Sequence, residues 1–130
     1  MILKAYRDGQ FHYIKARDFA GFKADSKYVI GVTPDGREWL LSDGVTLKSI
    51  ESVLPDLIRL NRGVLVKRSH VTGLIRTRKG SNIAITVVTT AGEYRLARRN
   101  CVSTIVELIE HNLRRERSPT YPMDKSPDEL

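Results

Sequence analysis

From Leu57 to Gly92 the chain has no acidic residue. The same stretch holds Arg59, Arg62, Lys67, Arg68, Arg76, Arg78 and Lys79, and Arg95, Arg98 and Arg99 follow soon after. Other things are scarce too. Cys101 is the only cysteine, which excludes an internal disulfide and a thiolate zinc cluster. No run approaches the roughly 20 apolar residues of a membrane helix. The residues after Met1 lack the apolar run of a signal peptide. His12, His70 and His111 stand far apart and match no metal spacing. Gly-x-Ser-x-Gly, the phosphate-binding Gly-Lys-Ser/Thr loop and His-Glu-x-x-His are missing, so no common catalytic template is met. The expectation is a cytoplasmic protein that is not an enzyme and has no metal, cofactor or small-molecule substrate.

What is present is charge of one sign in one place. The 130 residues carry a formal +7. Residues 1–56 are neutral overall, residues 57–100 hold ten Lys/Arg against one acid, and residues 101–130 are mildly acidic. A basic excess confined to a third of a small domain is the footprint of a polyanion partner, nucleic acid first. Within that stretch no neighbouring carboxylate competes for the guanidiniums.

The length suits one domain with its own core, residues 1–115, followed by a disordered tail, 116–130. Most of the domain reads as strands. Ile2 to Tyr6 and Phe11 to Ile14 flank Asp8-Gly9 as an N-terminal hairpin within residues 1–15. That hairpin either completes the domain or makes a dimer edge, and completion is favoured. Tyr28 to Thr33 is rich in β-branched residues and ends at Pro34-Asp35-Gly36, a turn with fixed and left-handed backbone positions. Arg37 to Leu41 returns. Gly63 to Lys67, His70 to Arg76, Ile83 to Thr90 and Glu93 to Ala97 read as further strands. Two segments read as helices: Leu47 to Leu54, capped by Thr46 and closed by Pro55, and Asn100 to about Leu113. In the latter, Val102, Ile105, Val106, Ile109 and Leu113 keep the 3.6-residue period. Cys101 falls in its first turn, where a lowered thiol pKa is conceivable but a half-buried packing residue is the simpler reading. No long basic helix is available for a major groove, so loops and strand ends must carry any contact with DNA.

The order of pieces carries a resemblance. A Tyr-Val strand and a Pro-Asp-Gly hairpin precede a short helix opened by Thr46-Leu47 and closed by Leu54-Pro55. Then come Leu57-Ile58-Arg59-Leu60-Asn61-Arg62-Gly63-Val64-Leu65-Val66-Lys67, the pairs His70-Val71 and Leu74-Ile75, a hairpin, and Tyr94-Arg95-Leu96-Ala97-Arg98-Arg99. Over about residues 10–113 this resembles the LytTR family, the DNA-binding output domain of many bacterial response regulators. The family's middle signature runs roughly Phe-x-Arg-Ile-His-Arg-Ser-Tyr-Leu-Val-Asn, and its late one is a Val-Ser-Arg-Arg-like run before the last helix. Asn61 stands where the family has His, Gly63 and Ala97 where it has Ser, and Lys67 where it has Asn.

The resemblance implies a mainly β fold: compact antiparallel sheets, a LytTR-like β-β-β sandwich, with two short helices. It implies sequence-specific binding of double-stranded DNA by a bacterial transcriptional regulator, with loops entering the grooves. A homodimer on the DNA is one arrangement; no membrane is involved. The candidate DNA-binding residues are Lys27, Asn61, Arg62, Lys67, Arg68, Arg98, Arg99 and Asn100. Arg62 leads, since its fork can bridge phosphates or grip guanine bidentately. Arg98 and Arg99 precede a helix N-terminus, which favours an anion. Arg76, Arg78 and Lys79 read as phosphate contacts or general field. The competing class is a small basic β-domain for RNA or single strands. It wants aromatic platforms near the cations, yet most aromatics lie within residues 1–39. A third class is a module for an acidic protein.

Overall fold

The computed structural model describes residues 1–97, 103–104 and 107–108. Ten strands run in chain order: β1 (Ile2–Arg7), β2 (Gln10–Lys15), β3 (Gly21–Asp25), β4 (Tyr28–Val32), β5 (Glu38–Leu41), β6 (Leu57–Asn61), β7 (Val64–Lys67), β8 (Val71–Lys79), β9 (Asn82–Thr89) and β10 (Gly92–Arg95). One helix, α1 (Leu47–Val53), separates β5 from β6. All pairings are antiparallel, in a seven-stranded sheet ordered β2-β1-β5-β4-β3-β7-β6 and a three-stranded sheet ordered β10-β9-β8. The N-terminal hairpin is part of the large sheet, because Ala5 and Tyr6 of β1 pair with Leu41 and Leu40 of β5.

Local chemistry explains most of the element ends. Thr46 caps α1 through a reciprocal box: the Ser49 N–H donates to its hydroxyl at 3.0 Å, and its own N–H donates to Ser49 Oγ at 3.2 Å. At the β4–β5 turn, Gly36 takes φ 86°, a left-handed conformation that glycine adopts without strain. The Asp35 carboxylate accepts from the Thr33 hydroxyl and the Arg37 N–H, and these bonds, the Thr33 one first, hold its pKa below the ordinary carboxylate value.

The two faces of the large sheet meet two cores. On one face Leu3, Ala5, Phe19, Phe22, Leu41 and Leu65 pack with Leu47 and Ile50 of α1. On the other, Ile58, Leu60, Val64 and Val66 pack with Val71 and Val87 of the small sheet and with Leu96 and Leu108. Each fully buried Val, Leu, Ile or Phe side chain contributes about 1.5–3 kcal/mol. The small sheet covers only the β6–β7 end of that second face. Towards β1 and β2 the sheet leaves Tyr6, Phe11, Tyr13 and Leu40 exposed.

Two expectations are adjusted, and a third is seen in part. Leu57–Asn61 is a strand, where no strand was expected, although Ile58-Arg59-Leu60-Asn61 alternates apolar and polar residues and buries Ile58 and Leu60 on one face. Residues Arg68–His70 form a 3-10 turn, so β8 begins one residue later than expected and runs on to Lys79. In the second expected helix, residues 103–104 and 107–108 are helical, with Thr104 and Leu108 buried one turn apart; the rest of Asn100 to Leu113, Cys101 included, lies outside the described residues, as does the tail.

Gly31 offers a test of this packing. A Cβ there would lie 2.6 Å from Cε1 of fully buried Phe19. Gly31→Ala is expected to destabilise the domain by about 1–3 kcal/mol through overpacking, measured as a lower urea midpoint at unchanged m-value.

Candidate nucleic-acid interface

The register of β3 against β7 brings two turns together. Lys23 pairs with Val64, and the Ala24 N–H donates to the Gly63 carbonyl at 2.8 Å. The β3–β4 turn with Lys27 therefore sits beside the β6–β7 turn with Arg62 and Gly63. A third segment joins them from the small sheet. After β10 the Ala97 N–H donates to the Leu60 carbonyl at 2.9 Å, so the chain is tied to β6 at the last residue before Arg98. Arg98, Arg99 and Asn100 themselves lie outside the described residues.

Arg62 is held by its backbone, and its side chain is exposed. The Arg59 guanidinium donates to the Arg62 carbonyl at 2.8 Å and pairs with Glu51 of α1 at 3.0 Å. Next to it, Asn61 uses both ends of its amide. Its Oδ1 accepts from the Gly63 N–H at 2.9 Å, and its Nδ2 donates to the Arg95 carbonyl at 2.6 Å. A shift of register between Arg59 and Asn61 turns that side chain towards β10. The result is an exposed arginine on a turn fixed from both sides, without a side-chain partner among the described residues. Lys27 is also exposed, with its Nζ 5.6 Å from the Tyr28 ring centroid.

Lys67 and Arg68 do not join this group. They stand at the other end of β7, four residues or about 13 Å along the strand. The Lys67 ammonium donates to the Arg17 carbonyl. Arg68 donates to the Glu107 carboxylate through Nε at 2.7 Å and also through Nη2, and its Nη1 reaches the Pro55 carbonyl at 2.7 Å. Lys67 fastens the turn at Arg17 to the sheet, and Arg68 fastens the last helical segment and the loop after α1. The acid-free stretch thus meets carboxylates after all, Glu51 and Glu107, supplied from outside it in sequence. His70, beside them, bonds Thr90 through Nδ1 at 2.8 Å, and burial, followed by the Lys67 charge, pushes its pKa below the ordinary value.

What remains of the basic stretch is Arg62, Arg76, Arg78, Lys79 and Arg95, all exposed and without ion-pair partners among the described residues. Arg95 was not singled out from sequence, although the alternation with half-buried Tyr94 is a readable signal that it points outward. A groove of about 600 Å³ runs between the β8–β9 hairpin and the Arg95–Ala97 segment, with Asn61, Asn82 and Arg95 among its walls. Among the described residues no cluster of three His, Cys, Asp or Glu could hold a metal ion, and no helix is long and apolar enough to cross a membrane.

No family model matches the chain, and no curated protein matches it. Among solved structures it is similar to a LytTr DNA-binding domain from Bacillus cereus, with a TM-score of 0.63 and 13% identity, over 83% of this chain and 95% of that one. The fold is the LytTr fold. Two of the altered signature positions, Asn61 and Lys67, serve internal bonds here.

The Arg68–Glu107 contact gives a direct test. Arg68→Met and Glu107→Gln are each expected to lower stability by about 1 kcal/mol, as fits a partly exposed pair with added hydrogen bonds. A double-mutant cycle should show the two losses to be non-additive, whereas independent losses would mean the contact does not form in solution.

Proposed function

We propose that the chain binds double-stranded DNA with sequence preference, as the output domain of a bacterial transcriptional regulator acting in the cytoplasm. The observation that carries this reading is the gathering of the Lys27 turn, the Arg62 turn and the segment entering Arg98 at one end of the two sheets, with Arg62 on a fixed turn and unpaired among the described residues. Electrostatic attraction comes from the unpartnered cations by release of counterions from the duplex. Arg62 is the reader, able to take guanine O6 and N7 with its fork. Asn61 sets the turn and leaves recognition to its neighbour. Arg99, Arg98 and Asn100 supply a second contact next to the start of the last helix. Lys27 adds a phosphate or base contact in the adjacent groove. Separate turns reach the duplex together if it bends, and a homodimer would repeat the contact on a second half-site.

Single-strand binding is the second reading, favoured by one feature. Tyr6, Phe11 and Tyr13 form an exposed aromatic row on the sheet face, with ring centroids 5.8 and 5.9 Å apart. Stacking of bases on such rings needs no duplex. However, Lys4 Nζ already covers Phe11 at 4.2 Å from its centroid, and the row belongs to β1 and β2, at the opposite edge of the sheet from β6.

Gel shifts of the full chain with duplex DNA, single-stranded DNA and RNA at two salt concentrations separate these readings. Duplexes selected from a random pool are expected to bind best. On the selected site Arg62→Ala is expected to cost about 1–3 kcal/mol and to flatten preference among sequences. A uniform loss would make Arg62 a phosphate contact. Equal affinity for single strands would overturn the duplex reading.

A further inference from the structure

We propose that the solvent face of the small sheet is a phosphate-backbone track running from Arg95 to Lys79, which extends the contact with nucleic acid beyond the Arg62 turn; it rests on the duplex reading above. Strand pairing decides which side chains share that face. Arg95 and Ile75 both pair with Thr86, Thr77 pairs with Ala84, and Lys79 pairs with Asn82. Val87, the neighbour of Thr86, points the other way into the core. Arg76 and Arg78 alternate with Thr77 and Lys79, and so belong to the core-side face of the hairpin.

The track is a real depression. Thr77, Lys79, Asn82, Ala84, Thr86 and Arg95 line a groove of about 350 Å³. It is continuous with the groove beside Asn61, since Asn82, Ala84 and Arg95 border both. Two cations stand at its ends, hydroxyls lie between them, and the small Ala84 leaves the floor open. Thr86 and Asn82 are about 13 Å apart along β9, enough for a cation at each end to meet a different phosphate of one strand. Glu93 shares the face of Arg95 but sits on the far side of it from Lys79, outside the groove lining. Among the described residues no third strand pairs with the β8–β9 hairpin beyond Thr86.

Arg95 couples the track to the reader. Its carbonyl accepts the Asn61 amide, and the Leu96 N–H beside it donates to the Ile85 carbonyl at 2.9 Å. The guanidinium therefore projects from a backbone fixed relative to the Arg62 turn. A strand of DNA lying along the groove would hold the duplex in one orientation while Arg62 reads it. Contacts of this kind position the protein and carry no sequence information.

The test is the salt dependence of affinity for the full chain, read by fluorescence anisotropy on the selected duplex and on a scrambled one. The variant is Lys79→Ala with Arg95→Ala. Its control, equal in charge removed, is Lys15→Ala with Lys48→Ala, two exposed lysines on β2 and α1. Each lost phosphate contact lowers the slope of log affinity against log salt by about 0.9. The track variant is expected to be shallower by nearly two, with equal fold-losses on both duplexes and an unchanged preference ratio, while the control keeps close to the wild-type slope. Ala84→Glu, which plants a carboxylate on the groove floor, should weaken both duplexes equally as well. Wild-type and track-variant slopes that coincide, or a track variant no different from the control, would overturn the track and leave the duplex reading standing. Wild type that fails to bind either duplex would overturn that reading, and the track with it.

Discussion

The β6–β7 hairpin is buried on both sides, and that constraint fixes everything around it. Leu57 and Leu65 point into the core beneath α1, whereas Ile58, Leu60, Val64 and Val66 point into the core beneath the small sheet. A slip of one residue would exchange these sets and open both cores, so the register is strongly specified. Once it is set, Lys23 must lie against Val64 and the turns carrying Lys27 and Arg62 must be neighbours. The same strand gives Leu60 as the acceptor for Ala97, which ties down the segment leading to the last helix. Hydrophobic packing thus determines where the cations stand, although no cation takes part in it.

The basic stretch divides into two kinds of residue by what the fold offers each. Arg59, Lys67 and Arg68 find internal acceptors and act as struts. Arg62, Lys79 and Arg95 find none among the described residues and are exposed, Lys79 and Arg95 on the groove of the small sheet. The struts hold backbone, and the free cations keep their full charge for a partner. Arg59 shows how closely the two are joined: paired with Glu51, it uses its other nitrogen to hold the carbonyl of Arg62.

Much of the fold was legible in the sequence, because turns and half-buried strands leave local marks. Pro34-Asp35-Gly36 marked the β4–β5 turn, Thr46 marked the start of α1, and β-branched runs marked β4 and β9. β6 was readable too, in the Ile58-Arg59-Leu60-Asn61 alternation, but it is short and runs directly into the Arg62-Gly63 turn. The site was legible in part. Arg62 and Lys27 could be named from resemblance and charge, and the structure places them together. The engagement of Arg68 could not be foreseen, because Glu107 is distant in sequence and only the packing of Leu108 on the second core brings it near. Lys67 and Asn61 were obscured for the same reason, since their acceptors Arg17 and Arg95 are brought in by the sheets. Local charge counts find a basic stretch but do not tell a strut from an unpaired cation.

The most direct measurement is an amide chemical-shift titration of the chain with a short duplex at low salt. The account predicts that the largest shifts fall on Lys27, Arg62, Gly63, Lys79, Arg95 and Ala97, and that Lys67 and Arg68 move little. Shifts concentrated on Tyr6, Phe11 and Tyr13, or around Arg68, would contradict it.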